Sequence, residues 1–293
     1  ATLHRATIRD TATGTWQLQT PSSLLVSADI RSLTETCWRQ NQAVACISGR
    51  IDDSEINANA LLNEIPLNLA KRWLPVNLEI QGQLNGRLQI TGSLAAPEGS
   101  LLLEPGDGYF LVRQAEGEHE SYPWRKARLQ TDFANDSYNL TAGLQLPDQG
   151  SVSASIKLDA QKQLDGKIGF NFTRLAWLEA WVPTLTDIQG ALDAELYLSG
   201  TLNQPQWRGS AGLYRASTTV PGFGIDLKEL VLTLEAANSN QVSIQGSAKS
   251  GPGQIVVDGR LDKTEAQRWQ LALKINGERF EVLTNAEAHV LAT

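Results

Sequence analysis

Ile80-Gln81-Gly82-Gln83-Leu84-Asn85-Gly86-Arg87-Leu88-Gln89-Ile90-Thr91-Gly92-Ser93-Leu94 is apolar or glycine at every even position and polar at every odd one. Period two sustained over this length specifies one long half-buried strand, or two strands joined at a glycine kink, with one wet face and one dry face. The stretch is written a second time. Leu67, Trp73, Pro75, Gln81, Gly82, Leu84, Leu88, Gly92, Leu94 and Pro97 are matched, without a gap, by Leu175, Trp181, Pro183, Gln189, Gly190, Leu192, Leu196, Gly200, Leu202 and Pro205. An internal repeat marks stacked, quasi-one-dimensional proteins whose neighbouring units share one core, and it places function along a surface.

The same alternation returns in Val26/Ala28/Ile30, Tyr138/Leu140/Ala142/Leu144/Leu146, Val152/Ala154/Ile156/Leu158, Leu230/Leu232/Leu234, Val242/Ile244/Gly246/Ala248, Ile255/Val257/Gly259/Leu261 and Trp269/Leu271/Leu273/Ile275. Turn signals separate these runs, among them Pro147-Asp148-Gln149-Gly150, Gly251-Pro252-Gly253 and Asn276-Gly277. The expected fold is all-β: an elongated antiparallel sheet of roughly eighteen strands curled into a groove, with short amphipathic helices. The helices are expected at Leu67 to Leu74 and Leu175 to Val182, where apolar residues fall at helical spacing before Pro75 and Pro183. Trp73, Leu74, Trp181 and Val182 belong to these helices, read as caps on an open sheet edge in preference to a lipid-touching role. Residues 1–66 form an N-terminal meander, residues 67–174 a first repeat, and residues 175–293 a second repeat continuous with the first in one sheet.

Net charge is −7 over 293 residues, and no basic run is present to follow a phosphate backbone, which argues against nucleic acid as a partner. No apolar run approaches the ~18 residues that cross a bilayer. The first residues lack a signal peptide's pattern, and the chain has no Met. These features read as an internal piece of a longer protein, with any membrane anchor or export signal outside it. Cys37 and Cys46 flank a stretch able to form a hairpin with the two thiols opposed. A disulfide there implies an oxidising compartment; the alternative is a pair of reduced, half-buried cysteines in the cytosol. Two thiols without a neighbouring His do not complete a zinc site.

A sheet with one apolar face must cover it with a second layer or with a ligand. Two short helices are too few, so the sheet folds over on itself as a filled sandwich or as an open trough. Glycines recur in the dry phase and aromatic residues are only 6% of the chain, which favours unfilled space. Ile80, Leu84, Leu88, Ile90, Leu94, Ile188, Leu192, Leu196, Leu198, Leu202, Val242, Ile244, Ile255 and Val257 are the expected groove lining. Strands at ~4.8 Å spacing would make a stripe on the order of 80 Å long. At about 0.8 kcal/mol per buried CH2, an acyl chain laid along it gains enough to leave a membrane. A uniform wall lets it slide.

The histidines, His4, His119 and His289, are scattered and have no Cys, Ser or His neighbour at a recognised spacing. Asp52-Asp53-Ser54-Glu55 lacks the spacing of a calcium loop and reads as a solvated strand end. The chain is therefore expected to be neither an enzyme nor a holder of a cofactor or metal.

The repeated phrase Gly-x-Leu-x(3)-Leu-x-Leu/Ile-x-Gly-x-Leu-x-x-Pro (Gly82 to Pro97, Gly190 to Pro205), Val220-Pro221-Gly222, and Val257-Asp258-Gly259-Arg260-Leu261-Asp262 resemble the translocation and assembly module subunit TamB, an AsmA-like family. The resemblance extends from about Ile47 to the end, where Phe280-Glu281-Val282 to Ala288-His289-Val290 is similar to the approach to that family's C-terminal region. It implies a periplasmic segment of a protein anchored in the inner membrane, built as a β-taco with an apolar interior. Phospholipid acyl chains, an outer-membrane Omp85-type partner of the TamA kind, and unfolded outer-membrane protein strands are the implied partners. No catalytic residues carry over from the family, and its functional positions correspond here to the even phase of the repeated strands.

Overall fold

In the computed structural model, residues 1–10, 14–113, 119–180, 182, 184–264, 268–284 and 289–292 are described. The chain divides into two compact units, one of Ala1–Leu111, Ser121–Gln145 and Ala154–Gln163, the other of Val112–Glu120, Leu146–Ser153 and Leu164–Thr293. Both are antiparallel β throughout, as the alternation requires.

In the first unit the strands Ile30–Gln40, Ala43–Asp52, Glu55–Pro66, Gln83–Ser93, Ala96–Pro105, His119–Ala134 and Ser137–Leu146 pair in that order. Two shorter strands, Gly14–Leu18 and Ser22–Val26, share the outer edge of Ile30–Gln40. Period two alone left the Ile80 to Leu94 run as one strand or two. It is two, Leu78–Gln81 and Gln83–Ser93, broken at Gly82, whose φ of 150° lies where L side chains seldom go.

In the second unit Leu164–Phe172, Thr186–Thr201, Gln204–Val220, Ile225–Asn238, Gln241–Ser250, Gly253–Lys263 and Trp269–Glu278 form a meander. Among the described residues, Trp269–Glu278 is paired along one edge only. A hairpin of Phe280–Thr284 and His289–Ala292 follows, with Phe280 buried.

Extra residues interrupt the ladders near one end of several strands. Register shifts bracket Glu64, Lys126, Asp187, Arg215 and Glu229, and each of these has a left-handed φ between 48° and 55°. Such bulges bend a strand and increase its twist, which is how long strands curl without leaving the sheet.

Two expectations need correction. Asn276-Gly277 does not form a turn: both residues lie inside the last long strand, opposite Val256 and Ile255. Gly277 lies against the Ile255 side chain, where a Cβ would approach its methyl to 3.3 Å, so the glycine serves close packing. The chain bends later, at Arg279, with φ 50°. The expected amphipathic helices are single 3-10 segments, Leu67–Trp73 and Ala176–Ala180. Three residues per turn cannot hold a stripe spaced for 3.6, and no residue of Leu67–Trp73 is buried. Leu74 at φ −98°, ψ 155° ends the first segment, as a residue before proline must.

Cys37 and Cys46 face each other in register and are joined by a disulfide. Cys46 in turn faces Leu61, and Leu61 faces Arg87, which places the bridge on the wet face. The cross-link closes a short loop. The Cys37→Ser/Cys46→Ser variant should therefore lose about 2.5 kcal/mol by loop-closure entropy. Urea unfolding with and without reductant measures it: reductant should shift the wild-type midpoint and leave the variant unmoved, and an unmoved wild type would contradict the assignment.

Candidate functional site

Residues directly opposite each other in an antiparallel pair share a face, so the register converts the dry phase of each strand into rows that run across the sheet. In the first unit, Ala60, Leu88, Leu101, Thr131 and Leu140 form one row, and Leu62, Gly86, Leu103, Leu129 and Ala142 the next. A third row contains Ala58, Ile90, Gly99, Phe133 and Tyr138, the last two rings stacked with centroids 5.9 Å apart.

In the second unit, Phe172, Leu192, Leu213, Leu232, Gly246, Val257 and Ile275 share a row across seven strands. Beside it runs Phe170, Ala194, Ala211, Leu234, Ile244, Gly259 and Leu273. Leu196 lies between Ile168 and Gly209, Leu198 faces Trp207, Val242 faces Leu261, and Ile255 faces Ala248. At ~4.8 Å per strand this wall is about 29 Å across.

Most of the wall is half-buried. Ile80, Leu84, Leu88, Ile90, Leu192, Leu196, Leu198, Val242, Ile244, Ile255 and Val257 are all intermediate in exposure, and Ile188 is buried. Leu94 and Leu202 lie outside the strands, at exposed hairpin tips. On Trp269–Glu278, the last strand of the second-unit meander, Trp269, Leu271, Leu273 and Ile275 continue the dry phase and are exposed.

The chain as a whole exposes 18493 Å2. Two separate compact bodies of half the mass would expose only ~14,700 Å2 together, so the excess does not depend on how the units are arranged.

The glycines do not produce this openness, contrary to the compositional argument. A Cβ on Gly86 would meet Leu103 Cδ2 at 2.8 Å, and Gly259 is covered in the same way by Leu273. Each glycine faces a leucine across the ladder, and the leucine occupies the space the glycine leaves. The wall residues themselves stay half-buried.

The deepest aromatic packing lies at the end of the strands carrying the 3-10 segments; alternation marked Phe172 and Ile188 as apolar-phase positions but not the rings that meet them. In the first unit Leu78 and Trp124 are buried; Trp124 is tilted on Phe110 at 4.7 Å and donates Nε1–H to Gly106 O at 2.9 Å. Gly82 and Gly108 both lie against the Trp124 ring. In the second unit Phe172 is tilted on Trp177 at 4.9 Å, with Leu175 and Ile188 buried nearby. The glycines pressed against Trp124 were the available signal.

The other helix residues are peripheral. Trp73 is 70% exposed with the Arg72 guanidinium 4.1 Å over its ring, Leu74 is half-buried, and Val182 is exposed. Trp181 lies outside the described residues. A pocket of about 740 Å3 opens under Leu67–Trp73 and is lined in part by Trp73, Ile80 and Leu84.

Outside the wall, polar chemistry is that of a solvated surface. Lys167 and Glu195 pair at 2.7 Å, and Tyr197 donates to Glu195 at 2.7 Å. The hydrogen bond from Lys167, and then that from Tyr197, holds the Glu195 carboxyl below its ordinary range; the bond to Glu195 raises Lys167. Glu35, Cys37 and Cys46 bring their ligand atoms within 4.8 Å of one another, but both sulfurs are in the disulfide, leaving one carboxylate. Asp52 and Glu55 close a hairpin, with Asp52 paired to Arg50 at 2.8 Å.

The model of the TamB N-terminal domain matches residues 1–213. The chain belongs to the TamB family. No solved structure matches it. The match begins ahead of Ile47 and is to the N-terminal domain, so the likeness of the closing run to the family's C-terminal approach falls outside it. TamB proteins are a translocation and assembly module family associated with the cell envelope and with the partner TamA, and they are not an enzyme family. No helix among the described residues is long and apolar enough to cross a membrane.

The contrast between plug and tip is measurable. Phe172→Ala should cost about 3 kcal/mol, because it empties a packed aromatic site, whereas Trp73→Ala should fall within ~0.5 kcal/mol of wild type. Equal losses in chemical denaturation would show that the second-unit plug is not the tighter core.

Proposed function

We propose that this TamB-family segment lies in the periplasm, as part of a protein anchored in the inner membrane, and that its apolar wall conducts phospholipid between the inner and outer membranes. The observation that supports this most is the row structure: Leu88 in one unit and Leu192, Leu196 and Val257 in the other are aligned by register and only half-buried. Burying ten methylenes on such a wall gains about 8 kcal/mol before the cost of ordering the chain. Rows of interchangeable Leu, Ile and Val give neighbouring positions similar affinity, which suits movement along the wall and gives little headgroup selectivity.

A second reading has its own observation. Among the described residues, the edge of Trp269–Glu278 away from Gly253–Lys263 has no strand partner and lies beside exposed Leu271, Leu273 and Ile275, an arrangement that can receive an extended strand. In this reading the segment helps assemble autotransporters and outer-membrane β-barrel proteins with an Omp85-type, TamA-like partner.

Native mass spectrometry with lipid extraction separates the two. The wild-type chain should retain phospholipid, and Leu88→Asp/Leu196→Asp, which places charge on the dry face of both units, should lose it while keeping its β circular dichroism. A folded double variant that holds as much lipid as wild type would sink the conduit and leave strand capture.

A further inference from the structure

The two copies of the repeat end differently: beside the first, Trp124 on Phe110 packs against Gly82 from later strands, whereas the second carries its own pair of rings. In the second, Phe172 and Trp177 form an aromatic plug, Leu175 is 1% exposed, and the Glu179 carboxylate accepts a hydrogen bond from Ile188 N at 3.0 Å. The gapless offset between the copies places Glu64 where the second has Phe172, Leu69 where it has Trp177, Lys71 where it has Glu179, and Arg72 where it has Ala180. Both rings of the plug are missing from the first copy, and a carboxylate that caps a strand gives way to two cations.

What the missing plug leaves is the pocket of about 740 Å3 between Leu67–Trp73 and Leu78–Gln81, walled by Ile65, Leu67, Ala70, Ile80 and Leu84. This volume is within the range of small-ligand sites. Its rim is basic: Lys71 is held by Glu79 at 2.7 Å, while Arg72 has no carboxylate partner among the described residues and rests on the Trp73 ring. Trp73 and Val76, the latter 96% exposed, project beyond the rim.

We infer that this pocket is a docking site for one anionic phospholipid. An acyl chain lies on Ile65, Leu67, Ile80 and Leu84, and the headgroup phosphate accepts hydrogen bonds from the Arg72 guanidinium. Arginine is suited to this because its planar fork matches phosphate and its charge is permanent. Trp73 stands where acyl chain meets headgroup, the position indole prefers between apolar and aqueous surroundings. Charge complementarity and the apolar wall together select the ligand: a free phosphate would leave the wall wet, and a neutral hydrocarbon would leave Arg72 unused. The inference rests on the lipid-binding reading and adds to it a location, the first copy, and a headgroup preference that the uniform wall lacks.

The test uses the 293-residue chain incubated with vesicles of phosphatidylglycerol or of phosphatidylcholine, followed by native mass spectrometry of the retained lipid. Wild type should retain phosphatidylglycerol in preference to phosphatidylcholine, with millimolar inorganic phosphate failing to displace it. Leu69→Trp, which restores the second copy's ring and fills the pocket, should weaken phosphatidylglycerol retention about tenfold, as should Arg72→Gln through loss of a charge-assisted hydrogen bond. The remaining lipid should show no headgroup preference and should disappear with Leu88→Asp/Leu196→Asp.

Arg72 is exposed, so its variant reports binding even if Leu69→Trp fails to fold. Undiminished, headgroup-selective retention in folded Arg72→Gln would overturn the docking site while leaving the conduit standing. Displacement by phosphate would overturn it in favour of a simple anion site. A wild type that retains no phospholipid of either kind would remove both proposals.

Discussion

Register is the constraint on which the rest of this structure depends. Period two along one strand gives that strand a dry face, but an apolar wall exists only if each neighbour is held so that its dry phase falls in the same row. A slip of one residue would set Gln89 where Leu88 stands and break every row at that strand. Tight connections pin the register. Ser93 faces Ala96, Thr201 faces Gln204, and Ser250 faces Gly253, each leaving two residues for the turn. Gly251, a turn residue of the last of these, supplies the positive φ that such a turn uses. The bulges work within the same constraint. At Glu64, Lys126, Asp187, Arg215 and Glu229 the extra position goes to a charged residue, so Leu62 and Ile65 both stay on the dry side although their numbers differ in parity.

That parity change explains what the sequence could and could not convey. Alternation is a property of single strands, and it identified the wall residues from Leu84 to Ile90 and from Leu192 to Leu198 without help. The aromatic packing was not legible, because Trp177 reaches Phe172 from a 3-10 segment in the second unit and Trp124 reaches Phe110 and Gly82 beside a strand break in the first, and neither feature has a period of its own. Glycine misled in both directions. In sequence Gly86 and Gly259 suggest empty space, yet cross-strand leucines cover them, and Gly277 suggests a turn, yet it is a point of close packing against Ile255. A glycine says only that no side chain fits or that φ is unusual, and the partner strand decides which.

The repeat shows how one scaffold acquires two characters. The positions that match between copies are those that build it: the leucines of the dry phase, the glycines at breaks and turns, and the prolines that end the short segments. Among the positions that differ, Leu69 lines the pocket under its segment where Trp177 packs on Phe172, and Lys71 pairs with Glu79 where Glu179 accepts from Ile188 N. Exchange there leaves the ladder's backbone hydrogen bonds intact, so one copy can close and the other stay open at little cost to the fold. A repeat protein is free to vary in this way because each unit depends chiefly on its neighbours.

An exposed apolar surface in water should collapse, and here the backbone prevents it. Few side chains are deeply buried, so the ladder hydrogen bonds and the half-burial of each row hold the sheet rather than a filled core. Because the ladder fixes strand spacing at ~4.8 Å, the leucines cannot close on one another as they would on a flexible chain. The wall is therefore stiff and smooth, the gaps over its glycines filled from the next strand. A smooth wall offers an acyl chain a succession of similar positions and low barriers between them, but for the same reason it cannot tell one headgroup from another. Any selectivity in such a protein has to reside where the rows end and polar groups reach the apolar surface. In the first unit that place is Leu67–Trp73, where Arg72 and Trp73 stand beside Ile80 and Leu84.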